Sequence, residues 1–219
     1  MQTNLKAMRK YDAGLILITA LAVVVFVFVL LNLSPATSLS PRFSQLTYLK
    51  ETEGTPLDFN SVIQIPTSDW TQVAPPVNLG MDTGVHWFSM IVQPTQSNQS
   101  RFLLHVDYPL LDNLDVAVYS QVGSKPKVTF SSGDSKRFNE RHIAHVKPLF
   151  PLPASAQSQR VIIRVQTSGN IRLPIRIWQE TEFIEYTSTR NLVLGIFFGV
   201  LLAMGVSNTF LTVTTKNAS

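Results

Sequence analysis

IRLPIRIW, residues 171–178, alternates apolar side chains with other types. Ile171, Leu173, Ile175 and Ile177 project to one face of an extended chain, and Arg172, Pro174, Arg176 and Trp178 to the other, the period-two pattern of a half-buried β-strand. Pro174 has no N–H to donate, which places the strand at an edge or a bulge. After a short charged joint, 179–190, comes NLVLGIFFGVLLAMGVSNTFLTVTT, residues 191–215, without a charged side chain. Leu192–Val213 has the roughly 20 residues that an α-helix needs to cross a hydrocarbon core of about 30 Å. A strand thus leads almost directly into a membrane helix.

Upstream lie more short runs of strand character: 62–65, 85–92, 102–106, 114–119, 143–152 and 161–166. Gly, Pro, Asn, Asp and Ser clusters separate them, and no long helical period intervenes. Seven short strands of antiparallel patterning predict a β-sandwich or jelly roll over residues 61–186. Residues 34–60, rich in Ser, Thr and Pro, read as linker and domain entry. The 157 residues from 34 to 190 are enough for one hydrophobic core unaided by disulfides or a metal. The chain has no cysteine, which argues against a disulfide-stapled module and excludes a thiol nucleophile.

A second uncharged stretch, AGLILITALAVVVFVFVLLNL at 13–33, also has spanning length. It reads as a retained transmembrane anchor or, given the basic residues before it and the small Ala36 and Ser38 after it, as a cleaved signal peptide; either exports the middle of the chain. Lys6, Arg9 and Lys10 put residues 1–12 in the cytoplasm, the middle domain in a bacterial periplasm, and the tail 214–219 with Lys216 back in the cytoplasm. Of the net charge of +4, only +1 belongs to residues 34–190, where no Lys/Arg block tracks a phosphate backbone, so no nucleic-acid partner is expected. The fold class is therefore an all-β sandwich, a jelly-roll-like exported domain flanked by two transmembrane α-helices, 13–33 and 191–213, in a bacterial inner membrane.

Several tracts in order carry a family resemblance: LLHVDYPLLDNLDVAVYS at 103–120, Gly133–Asp134, the FPL of Phe150–Leu152, and RVQTSGNIRLPIRIW at 164–178 followed by the glycine-bearing apolar helix. Together they resemble bacterial seven-transmembrane receptors with diverse intracellular signalling modules. Residues from about 45 to 186 resemble the second type of extracellular domain of these receptors, and 191–213 the first helix of their seven-helix region. The resemblance implies a jelly-roll sensor similar to carbohydrate-binding modules that receives a small ligand and signals through its helices. Six helices and the output module have no counterpart before Ser219, so the expectation is a truncated receptor, a fragment of one, or a two-helix protein acting through a partner receptor.

Sugar recognition needs aromatic platforms and hydrogen-bonding side chains. Trp70, Tyr108, Tyr119 and Trp178, with Asn170, Arg172 and Arg176, are the candidates for a small-molecule or carbohydrate ligand, whereas Trp87, between His86 and Phe88, reads as core. His142 and His145 lack a third ligand at metal-site spacing. Asp107, Asp112 and Asp115 near Tyr108 read as turn formers rather than a hydrolytic pair. No catalytic residue, metal or cofactor is expected. Gly195, Gly199 and Ala203 share one helical face, where small side chains permit close packing against a helix of this chain, a homo-oligomer partner or a membrane receptor; frequent glycine use in membrane helices is the alternative. The expected function is a ligand sensor anchored in the lipid bilayer. The alternatives are a non-catalytic interaction or structural protein and, less favoured, a carbohydrate-active hydrolase.

Overall fold

The computed structural model describes residues 21–26, 42–52, 54–94, 101–120 and 125–216. The chain divides into two units, Leu39–Phe183 and a second drawn from the sequence on either side of it.

The first unit contains strands β1 (Phe43–Lys50), β2 (Thr71–Gln72), β3 (Val77–Met81), β4 (Val85–Val92), β5 (Phe102–Val106), β6 (Asn113–Ser120), β7 (Pro126–Ser132), β8 (Leu149–Leu152), β9 (Gln159–Gln166), β10 (Asn170–Leu173) and β11 (Ile175–Gln179). A six-stranded sheet has the order β2-β1-β4-β9-β6-β7, a three-stranded sheet β11-β5-β8, and a two-stranded sheet β10-β3. All pairings are antiparallel. From β4 onward the chain repeatedly leaves the six-stranded layer and returns to it, the wrapping of a jelly-roll sandwich. Phe88 and Met90 of β4, Val116 of β6 and Ile163 of β9 share one core with Leu104 of β5, Ile171 of β10 and Ile177 of β11. Burying each such side chain contributes about 1.5–3 kcal/mol.

The alternation in 171–178 holds: the three isoleucines and Leu173 are buried, while Arg172 and Arg176 are exposed. Pro174 divides the run in two, so that β10 pairs with β3 and β11 pairs with β5 at a sheet edge. The Pro174 carbonyl still serves, accepting the Asp107 N–H at 3.0 Å.

Three expectations are corrected. Residues 34–60 are not simply a linker, because β1 lies within them, between β2 and β4 in the sheet. Its alternation is hidden by a bulge between Ser44 and Thr47, with Gln45 in the left-handed region at φ 54°. Residues 62–65 are not a strand but the end of a short helix α1 (Phe59–Val62) and the turn after it. There the Asp58 carboxylate accepts the Ser61 N–H at 2.7 Å and the Ser61 hydroxyl accepts the Asp58 N–H at 2.9 Å, the reciprocal capping that starts a helix. Residues 143–152 are extended only from Leu149, because the Arg141 guanidinium donates to the carbonyls of His145 and Val146 at 2.8 and 2.9 Å and holds a turn.

Helix α2 (Glu180–Lys216) has 37 residues, about 55 Å at ~1.5 Å per residue. It contains the apolar segment expected at 191–213 and is long and apolar enough to cross a membrane. The joint expected at 179–190 is therefore not a loop: helix begins at Glu180, directly after β11. Residues 21–26 are helical, and the Phe26 ring stacks on Phe197 of α2 at 3.9 Å. The rest of the transmembrane segment expected at 13–33 lies outside the described residues, as do the flank 1–12 and the end of the tail 214–219.

Candidate functional site

The outer face of the six-stranded sheet is covered by residues 57–70, and this coverage settles the position of two candidate aromatics. Trp70 and Tyr119 are buried there against Trp87, Ala117 and Ile162. The Tyr119 hydroxyl donates to the Phe59 carbonyl at 2.9 Å, and the Arg160 guanidinium lies 5.8 Å from the Trp70 ring centroid. Both rings serve as packing surface. Trp87 is core as expected, its Nε1–H donating to Glu51 at 2.8 Å.

Tyr108 and Arg172 are brought together by the passage from β5 and the exposed edge of β10, with the guanidinium 5.8 Å from the ring centroid. Asn170 is half-buried at the start of β10. Arg176 lies on β11, a different sheet from Arg172, in register with His105. Trp178, 4% exposed, faces away from the main core and packs against Phe183 at 5.9 Å between centroids. The surface these candidates leave open is thus Tyr108, Asn170, Arg172 and Arg176.

The three acids near Tyr108 hold loops. The Asp112 carboxylate accepts the N–H and hydroxyl of Ser168 at 2.7 and 2.8 Å, bonds that hold it below the ordinary carboxylate range. The Asp112 carbonyl accepts the Ser135 hydroxyl at 2.6 Å. Gly133, at φ +143°, passes so close that a Cβ there would lie 2.0 Å from the Asp112 carbonyl oxygen, which is why glycine precedes Asp134. Asp115 pairs with Lys136 at 3.2 Å and Arg164 at 3.4 Å, and Asp107 with Lys147. Burial acts to raise the Asp107 carboxyl, but the Lys147 ammonium overrides it and leaves it lowered. Among the described residues no three His, Asp or Glu side chains converge as metal ligands.

The remaining constellation is the joint itself. The Glu180 N–H donates to the Arg101 carbonyl at 2.9 Å, tying the first residue of α2 to the residue before β5. Glu182, three residues after Gln179, accepts the Gln179 N–H at 3.2 Å, the carboxylate half of a capping box. Its other oxygen accepts from Arg42 at 2.7 Å, and that guanidinium lies 5.1 Å from the Phe102 ring centroid. Phe183, 6% exposed, packs edge-on to His105 and His145, at 5.4 and 5.3 Å between centroids. His105 is 3% exposed, and neither of its ring nitrogens has a hydrogen-bond partner among the described residues. Burial pushes it down to about 4 against the pull of Asp107, and the Lys147 and Arg176 cations act in the same direction as burial. Sequence reasoning missed this cluster, since positions 42, 105, 145 and 183 share no motif.

Two solved structures show partial likeness. One is TmCBM61 in complex with beta-1,4-galactotriose, at 13% identity over 68% of this chain and 90% of that one, with a TM-score of 0.31. The other is the enzymatically active domain of bacteriophage CBA120 tailspike protein 4, at 10% identity over 63% and 19%, with a TM-score of 0.33. Likeness at those scores says nothing of ligand or activity. No curated protein matches the chain. The family described as 7TMR-DISM extracellular 2 matches residues 44–179, from the start of β1 to the end of β11, and this chain belongs to that family.

Proposed function

We propose that the sandwich is a non-catalytic sensor on the periplasmic side of a bacterial inner membrane, with the N-terminus in the cytoplasm, and that ligand binding is passed into the membrane through β11. Membership of an extracellular-domain family and a membrane-length helix support the setting. The observation that carries transmission is the direct succession of strand and helix: Gln179 ends β11 and Glu180 begins α2. A helix that starts on the residue directly after a strand moves when that strand moves. The ligand face is Tyr108, Asn170, Arg172 and Arg176, where an aromatic ring, an amide and two guanidinium groups suit a carbohydrate-like molecule.

The cysteine-free chain permits a direct test. A spin label on Thr181→Cys, an exposed position in the first turn of α2, is followed in lipid nanodiscs while an oligosaccharide panel is screened. An oligosaccharide bound through Tyr108 and Arg172 should change the label's mobility, and the Arg172→Ala variant should lose both binding and response. Binding with an unchanged spectrum would refute transmission.

A second reading, an interaction protein working through a partner receptor or a second copy, draws on α2. Phe26 stacks on Phe197, and Ala22, Val23 and Val25 line one cavity with Val193, Val200 and Met204, whereas a Cβ at Gly195 or Gly199 would meet no described atom within 4 Å. With Ala203 these glycines leave a ridge open to a helix. Gly199→Leu should then reduce copurification of that partner; an unaltered complex counts against it.

A further inference from the structure

β7 is an edge strand of the six-stranded sheet and β8 an edge strand of the three-stranded sheet, and their rings meet where Phe130 lies 5.8 Å from Phe150. Between them lies an open cleft of about 600 Å³ lined by Val128, Phe130, Pro151, Pro153, Arg101 and His142, with Leu152 and Ala154 completing it. Phe130 forms the floor, packed between Phe150 of β8 at 5.8 Å and His142 at 5.1 Å. Among the described residues no carboxylate lines the cleft, and its only ionisable side chains are the Arg101 guanidinium and the His142 imidazole.

We propose that this cleft is a binding site for a small organic anion with an apolar body, an aryl or short alkyl carboxylate, whose carboxylate meets Arg101. The lining argues for that class over a sugar. Each sugar hydroxyl taken out of water needs a hydrogen-bonding partner, and beyond Arg101 and His142 the lining side chains, Val, Phe, Pro, Leu and Ala, supply none. An aromatic or alkyl body loses nothing there and gains by covering Phe130 and the two proline rings, while the guanidinium provides a charge-assisted bond to one end. The volume falls within the roughly 300–1,000 Å³ of small-molecule sites.

The site's place in the fold gives it a consequence. The residue that meets the anion, Arg101, is the one whose carbonyl accepts the Glu180 N–H at the start of α2. Occupancy therefore acts within one hydrogen bond of the joint, through a lining that includes neither Tyr108 nor Arg172. This consequence rests on the sensor reading; the binding itself does not.

The test uses the full chain in lipid nanodiscs with 4-fluorophenylacetate, a soluble probe, and its uncharged partner 4-fluorophenylacetamide, with binding followed by fluorine NMR line broadening. The acid should bind saturably and the amide about tenfold more weakly. Arg101→Gln should cost the acid about the same factor and leave the amide unchanged. Ala154→Glu, which adds a like charge at the rim, should also weaken the acid, while Arg172→Gln should change neither. Equal binding of acid and amide, undiminished binding to both cleft variants, or no saturable binding would each overturn the site. None of those results would touch the Thr181 spin-label experiment, whose ligand is proposed to meet Tyr108 and Arg172, outside this cleft's lining.

Discussion

The Arg42 guanidinium lies 2.7 Å from the Glu182 carboxylate, joining the residue just before β1 to the first turn of α2 across 140 positions of sequence. Both side chains are largely covered, at 23% and 32% exposure, so the pair is less screened than an open surface bridge. It fastens the start of α2, which continues from β11 of the three-stranded sheet, to the entry of β1 in the six-stranded sheet.

Arg42→Ala should therefore cost about 1 kcal/mol of thermal stability. More tellingly, it should raise hydrogen exchange at the amides of residues 180–183 while leaving those of β9 protected. Uniform exchange along the chain would show that the pair does not hold the joint.

Acid should loosen the same joint. His105 is depressed from its ordinary 6.5 to about 4, so the unfolded chain takes up its proton first as pH falls. Its contribution is whole above about pH 6.5, declines between there and about 4, and is gone below. His86, also depressed by burial with Asp82 opposing, adds a drop of the same sign, whereas the lowered carboxyl of Asp107 loses its contribution only below the ordinary carboxylate value of 3.8. His105→Phe keeps a ring against Phe183 and cannot be protonated. Its melting temperature should fall less than that of the parent between pH 6.5 and 4, and equal slopes would exclude His105 as a source.

Gly133→Ala should destabilise the sandwich by about 3 kcal/mol or more, since the new Cβ collides with backbone at a φ that side chains avoid. Thermal unfolding measures it. A near-neutral result would mean that the turn at Asp112 can move aside.

Gln45→Gly should act in the opposite direction. Gln45 is exposed and occupies the left-handed region within the β1 bulge, which costs a side-chain-bearing residue about 1–2 kcal/mol. Set against glycine's greater unfolded freedom, a net gain of about 0.5–1 kcal/mol should appear as a higher melting temperature.

Strands β4, β5, β6 and β9 are legible because their apolar runs are bounded by turn residues, and the register of Ile171 and Ile177 into the core is legible because a period of two has one outcome once a face is buried. β1 and β7 are not. A bulge shifts the phase of FSQLTYLK, and PKVTFSS carries its apolar residues too sparsely to announce a strand. The candidate site is less visible. Tyr108 and Arg172 do meet, but an aromatic near a strand end reads the same whether it faces water, as a platform, or a covering loop, as Trp70 and Tyr119 do. Arg101, Phe130, His142 and Pro151 are drawn together from separate segments by two sheet edges.

What the amino-acid sequence alone determined is whatever depends on local period and solvent preference: two apolar ends, a β-rich middle with no cysteine, the inward face of residues 171–178, and a helix of spanning length after it. Tertiary structure decided everything that depends on which surfaces meet. It buried two expected platforms, Trp70 and Tyr119, between residues 57–70 and the sheet, turned a supposed joint into the first turns of a 37-residue helix, and set Arg42, His105, His145 and Phe183 around that helix's start. The physical reason is that burial is a property of pairs of surfaces, and the partner surface lies tens of residues away, where no local pattern points to it.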